Sequence, residues 1–386
     1  MNMVRSDDGL DEIYLDHQAT TPVDERVIQA MLPFFDNVFA NPHSITYRRS
    51  ILASQAVEKS RKELATAVGA PASDIFFTSG ATEANNLALQ GIARGPSKRR
   101  KVITQATEHR SVLDTVKFLG DNGCRCVVLS VKRDGSLDLD RLRDEVDDST
   151  LLVSVMHVNN ETGVIHPVDE IAEIAHDRGA LFHSDCAQAI GKVEVNVRNM
   201  SMDMASFSGH KAYGPKGIGA FFANRDARSE LSPLYYGGGQ ERGIRPGTLP
   251  VPLCVGLGRA FAIATEERAS FSHRANRQIH EIREFIESLG VSFKFNGNTE
   301  QQAPGCLSVT FPDFPADGVI SSCRRLELSS GSACESTKNR ASHVLKAMGM
   351  TRSLASSTLR ISVGRYTDDH AICVFKDQLK KLMTLT

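Results

Sequence analysis

Neither sign of charge dominates this chain of 386 residues: 45 Lys+Arg stand against 46 Asp+Glu. That balance leaves no electrostatic footprint for nucleic acid or a membrane surface. No run of about eighteen apolar residues occurs, so no transmembrane helix is expected. Internal repeats and low-complexity tracts are missing too. The first eight residues are polar and lack the apolar core of a signal peptide, so a cytoplasmic location is expected. Cysteine is sparse for the length. Cys124, Cys126, Cys186, Cys254, Cys306, Cys323, Cys334 and Cys373 are scattered, unlike the dense framework of a small secreted domain, and reduced thiols are expected. Cys124 and Cys126 form a C-x-C with no matching second pair. Two thiols on one strand face is a better reading than zinc, and no metal is expected.

What is present is a lysine in an unusual setting. Ser206-Phe207-Ser208-Gly209-His210-Lys211-Ala212-Tyr213-Gly214-Pro215-Lys216-Gly217 follows a strand-like run, Met202 to Ser208. Glycines allow close backbone approach to a ligand. Ser208 and His210 suit an anion such as a phosphate. Taken alone, the segment reads better as a surface turn with a solvated lysine. A second segment changes that: Ala180-Leu181-Phe182-His183-Ser184-Asp185 is a buried strand ending in a carboxylate. Pyridoxal phosphate needs both groups, a lysine at its aldehyde carbon and an acid at its ring nitrogen.

The length permits a substantial core and two domains. Strands and helices alternate from about residue 75 to 223. Ile75 to Thr78 is a short strand, followed by a helical stretch from Ala84 to Ala93. Val102 to Thr104 and Cys126 to Val131 are further strands, and Leu151 to Val158 is a longer buried one. Val168 to Arg178 has helical spacing and ends at Gly179. Such alternation predicts a mostly parallel sheet covered by helices, with ligand groups on the loops at strand ends. From Ala264 to Glu287 a charged helix links to a smaller α+β part, with strands at Leu307 to Phe311 and Leu359 to Val363 and helices at Ser342 to Met348 and Asp368 to Leu382.

Several loops carry candidate chemistry. Thr78-Ser79-Gly80-Ala81-Thr82-Glu83 is a strand-to-helix turn whose free N–H groups suit phosphate; as an ordinary cap it would place Ser79 or Thr82 at the cap position. His109 follows a strand and is placed to lie over a ring and move protons, as a catalytic residue, or is a plain loop histidine. Asn160 ends the long strand and either donates to a cofactor oxygen or marks a turn. Ser329-Ser330-Gly331-Ser332-Ala333-Cys334-Glu335-Ser336 sets one thiol in a small, polar loop, a better setting for reaction than an apolar core. Arg360 and Ser362 share one strand face. A buried arginine wants a carboxylate, from a substrate or from a structural ion pair.

Together these segments resemble, through nearly the whole chain, the cysteine desulfurases of the NifS/IscS type, members of the class-V aminotransferase family of fold-type I pyridoxal-phosphate enzymes. Further matches are Tyr14 to Pro22, Asn41 to Ser44, Asp185 to Gln188, Gly237 to Gly243 and Gly247 to Pro250. The resemblance implies an α/β fold: a large cofactor-binding domain over 16–260 with a mostly parallel seven-stranded sheet, and a small domain from 1–15 and 261–386 that carries the cysteine loop. It implies that Lys211 forms the Schiff base, Asp185 pairs with the ring nitrogen and His109 stacks on the ring. Gln188 and Asn160 would reach the phenolic oxygen. Ala81 through its N–H, Thr82, Ser208 and His210 would hold the phosphate. Thr248 would reach the phosphate of a neighbouring subunit, implying a homodimer. Arg360 would hold the L-cysteine carboxylate, and Cys334 would be the nucleophile that takes the sulfur and leaves L-alanine.

Some positions depart from the pattern. Cys186 replaces a small residue after Asp185, and Glu335 places a charge beside the nucleophile, which disfavours a thiolate. The short segment after the last helix points, on the same resemblance, to a specialised sulfur donor rather than the main supplier of an iron–sulfur scaffold. Its acceptor would be a protein of iron–sulfur cluster assembly, tRNA or cofactor thiolation, or DNA phosphorothioation. Two other readings compete: a selenocysteine lyase or another fold-type I enzyme, and a non-catalytic scaffold. The thiol loop argues against an aminotransferase. Intact Lys211, Asp185 and Cys334 argue against a scaffold.

Overall fold

The structure is a computed structural model that describes residues 12–44, 46–331 and 342–384. A two-residue strand β1 (Ile13–Tyr14) opens it. Seven strands then build the central sheet: β2 (Ile75–Thr78), β3 (Lys101–Gln105), β4 (Arg125–Leu129), β5 (Thr150–Ser154), β6 (Leu181–Asp185), β7 (Met204–Ser208) and β8 (Gly219–Ala223). Their order is β2-β8-β7-β6-β5-β3-β4, and only β8 runs antiparallel to its neighbours. Both sheet faces are apolar because the alternation along each strand is apolar on both sides. Phe77, Val153 and Phe222 enter one core, while Phe76, Leu152 and Phe221 enter the other.

A second body packs on its own core of Leu307, Val309, Leu359, Ile361 and Phe375. Its sheet comprises β9 (Lys294–Asn296), β10 (Cys306–Thr310) and, after the short β11 (Leu326–Glu327) that pairs with β1, β12 (Thr358–Ser362). The linking helix expected from Ala264 to Glu287 is instead two helices, Val251–Glu266 and Arg268–Ser288, which meet at Glu267. The apolar pattern explains the break. Leu257, Phe261 and Ala264 face the large core, whereas Phe271, Ile279 and Ile282 face the small one.

Two other expectations shift. The apolar run from Leu151 to Val158 outlasts its strand, which ends at Ser154. Val155 and His157 still donate backbone hydrogen bonds to His183 and Asp185, but Val158 turns back to bridge Ile165. Burial continues through the turn, so hydrophobicity alone overran the strand. Cys124 falls just before β4, and it packs with Cys126 against the same core. The seven described cysteines are all free thiols.

Candidate active site

The loops at the C-terminal ends of β2, β3, β6 and β7 enclose a cavity of about 490 Å³, within the range of ligand pockets. At one end the chain leaves β2 through Gly80 (φ 155°) and enters the helix Ala81–Ala93. Contrary to the capping alternative, neither Ser79 nor Thr82 caps it with a side chain. Gly80 is the cap residue and makes no side-chain cap bond. Thr78 Oγ1 donates to Gly80 O, and Glu83 accepts from Ser79 N. The first-turn N–H donors therefore remain available where Gly80, Ala81 and Thr82 line the cavity. Backbone approach is tight here: a Cβ on Gly219 would lie 2.6 Å from Gly80 Cα and 2.4 Å from Phe207 O. Ser208 and His210 line the same cavity. His210 Nδ1 lies 3.0 Å from Thr20 Oγ1, and burial lowers its pKa to about 4. It is thus neutral near pH 7, with Nδ1 turned to Thr20.

Lys211 follows in a turn stapled to the N-terminal segment. Thr21 N donates to His210 O, and Tyr213 N donates to Thr21 Oγ1 while Tyr213 itself takes a left-handed φ of 61°. Lys211 Nζ donates to Gln18 O at 2.5 Å and Ala19 O at 2.7 Å. Asp185, at the end of β6, is buried at 5% exposure. Its Oδ2 accepts from Asn85 Nδ2 at 2.7 Å and its Oδ1 from Ala187 N at 2.9 Å. Both oxygens are thus held in place by neutral donors. His109 caps the helix Arg110–Asp121, accepting from Ser111 N. Burial lowers its pKa, against the pull of Asp185.

Across the cavity stands Arg360, 2% exposed. Its Nη2 donates to Asp16 Oδ1 at 2.7 Å and its Nη1 to Asn160 O at 2.9 Å, while Nε has no hydrogen-bond partner among the described residues. Burial raises the pKa of Asp16, and Arg360 opposes that. Gln188 lines the wall and donates from Nε2 to Gln18 O at 2.9 Å.

The expected cofactor residues Ala81, Thr82, His109, Asn160, Asp185, Gln188, Ser208, His210 and Lys211 thus line one cavity with Arg360. Thr248 is exposed and lies outside it. Cys334 and Glu335 lie outside the described residues. Cys186 is a packed core thiol whose pKa burial pushes up. The sequence reading missed Asn85, Gln18 and Asp16. Asn85 alone left a signal, as a polar residue on the apolar face of its helix.

A lysine amine, a buried carboxylate and an uncapped helix start around one cavity match the aldehyde, ring nitrogen and phosphate of pyridoxal phosphate. The fold and site define a fold-type I enzyme of that cofactor. The family model for aminotransferase class-V matches residues 13–375. The cysteine desulfurase IscS of Rickettsia bellii is 43% identical over 379 residues, covering 97% of this chain and 92% of that protein. A solved NifS-like protein superposes with a TM-score of 0.90 at 33% identity, over 97% of this chain and all of that one. A structure of SspA in complex with cysteine gives 0.82 at 37% identity, over 92% of this chain and all of that one. The chain belongs to the class-V aminotransferase family and, within it, to the pyridoxal-phosphate-dependent cysteine desulfurases.

Proposed function

We infer that Lys211, Asp185, Arg360 and Cys334 divide the desulfurase reaction among them, and that Cys334 receives the sulfur. The observation that carries this reading is the common cavity wall formed by Lys211, Asp185 and Arg360. When bound, pyridoxal phosphate supplies an aldehyde for an amine and a protonated ring that draws electrons from the substrate α-carbon. Asp185, oriented by Asn85 and the Ala187 N–H, keeps a proton on the ring nitrogen. The open helix start, Thr82, Ser208 and His210 hold the phosphate. Lys211 would hold the cofactor aldehyde and move the substrate α-proton. Arg360 takes the L-cysteine carboxylate on the edge that Asp16 does not occupy. Cys334 attacks the substrate sulfur as a thiolate. Its S–S bond forms as the substrate C–S bond breaks, giving L-alanine and a persulfide with no outside oxidant.

The persulfide then passes to a cysteine of an acceptor protein in iron–sulfur cluster assembly, tRNA thiolation or DNA phosphorothioation. Balanced charge disfavours direct binding to nucleic acid. The site residues fall to a large domain over 16–260 and a small one from 1–15 and 261–386, with 261–266 still packed on the large core. A cytoplasmic homodimer fits the reading. Phe35, Phe39, Tyr235 and Tyr236 are exposed near or beyond 60%, and a partner subunit would have apolar side chains to cover. Thr248 would serve the cavity of the partner.

Turnover by Cys334→Ser tests the assignment. The variant should keep the cofactor and bind L-cysteine yet release almost no alanine. Near-normal turnover would shift the role to another thiol. Lys211→Ala should lose the visible absorbance of the bound cofactor.

A further inference from the structure

Behind the cavity lies a second lysine that the reaction as described does not use. The stem of Lys192 is partly exposed, but its ammonium end is buried. Nζ donates to Gln18 Oε1 at 2.6 Å and to Gln188 Oε1 at 2.7 Å. Lysine has no acceptor, so both contacts must be amide oxygens. This fixes amides whose two ends are otherwise hard to tell apart. With Oε1 held, Gln188 must turn its NH2 the other way, where it meets Gln18 O and the cavity wall. The same Gln18 carbonyl accepts from Lys211. Four residues therefore interlock: Lys192, Gln188, Gln18 and Lys211.

We propose that Lys192 is a positioning residue of the cofactor site: its ammonium locks the Gln188 and Gln18 amides in one orientation and sets a second positive charge behind Lys211. The locked Gln188 offers the cavity a donor and no acceptor, which suits an anionic oxygen. The charge disfavours a proton on the Lys211 nitrogen, and so favours its neutral, reactive form.

The surroundings of Lys192 make this charge titratable near neutrality. Burial lowers it to about 7, with help from Lys211 and Arg360, while Cys306 opposes. Burial pushes the Cys306 thiol up. His17 is held down to about 3 by burial and by Lys192 itself, so it stays neutral. In the same cleft Arg365 and Glu267 neutralise each other at 3.0 Å, and burial raises Tyr213 to about 12.

The inference rests on Lys211 carrying the cofactor, which the loss of visible absorbance in Lys211→Ala tests separately. The experiment titrates that absorbance in the holoenzyme from pH 5.5 to 10 and compares wild type, Lys192→Met and Lys192→Arg. Lys192→Arg, charged throughout this range, should hold the apparent pKa of the Lys211-linked chromophore roughly 1 below that of the uncharged Lys192→Met. Wild type should follow Lys192→Arg below pH 7 and Lys192→Met above it. Titrations of Lys192→Met and Lys192→Arg that superpose at an unchanged melting temperature would overturn the proposal. If Lys192→Met does not fold, a wild-type titration that superposes on Lys192→Arg from pH 5.5 to 10 would do the same.

Discussion

Two buried arginines in this molecule face carboxylates in opposite ways. Arg61, 4% exposed, meets Glu241, 2% exposed, through two parallel contacts of 2.8 and 2.7 Å. Its remaining donors reach Ile75 O and Glu58, and its guanidinium lies 4.8 Å from the centre of the Phe77 ring. Glu241 also accepts from Phe77 N. Each of its three guanidinium nitrogens has a protein partner. Arg360 meets Asp16 through one contact only, keeps an unpartnered Nε and stands on a cavity wall. A saturated guanidinium is a structural clamp. One with a free edge is poised to take a second anion.

The clamp has a visible task. Glu241 and Arg242 adopt left-handed φ of 46° and 56°, which costs on the order of 1–3 kcal/mol for each non-glycine residue. The Arg61–Glu241 pair holds that loop down against β2. Arg61→Ala would leave Glu241 buried without its cation, and should lower unfolding free energy by about 3–5 kcal/mol. Urea denaturation measures this. A loss under about 1 kcal/mol would mean that the pair is not a clamp. Replacing both residues by apolar ones of similar size should recover much of the loss.

Arg360→Ala should act mainly on binding, with the smaller stability loss of the two, because Asp16 is partly exposed and burial already favours its protonation. Removing a charge-assisted contact to the substrate carboxylate costs a few kcal/mol, so KM for L-cysteine should rise roughly a hundredfold with cofactor content unchanged. An unchanged KM alongside a large drop in melting temperature would make Arg360 a second clamp and erase the comparison.

The sequence distinguishes these two arginines only partly. Arg360 was conspicuous because a strand of alternating residues carried it inward, and both its possible partners, substrate and structural acid, were left open. Asp16 could not be paired with it, because 344 positions separate them and only the folded chain joins β12 to the segment after β1. Arg61 was invisible. It sits on a helix of ordinary polar composition, and its burial arises from Glu241 arriving on a distant loop. The strands and the Lys211 turn were legible because apolar runs bounded by glycine specify them locally. The helix break at Glu267 was not, since it records two cores meeting rather than any local signal. Asn85 and Lys192 belong to the same class, polar side chains whose partners lie on other elements.

Asp16→Asn gives the smallest expected effect and the sharpest division between the two readings of Arg360. Asparagine keeps an acceptor oxygen for Nη2 but removes the negative charge. If Asp16 competes with the substrate carboxylate, the guanidinium in the variant presents its full charge to L-cysteine. KM should then fall, by roughly two- to fivefold, as expected for about 0.5–1 kcal/mol at a partly buried ion pair. Burial already raises the pKa of Asp16, so protonation at low pH should move wild type toward the variant and narrow the difference between them. Steady-state KM across pH checks both statements. A rise in KM, in the direction of Arg360→Ala, would mean that the Asp16 charge fixes the geometry of the fork.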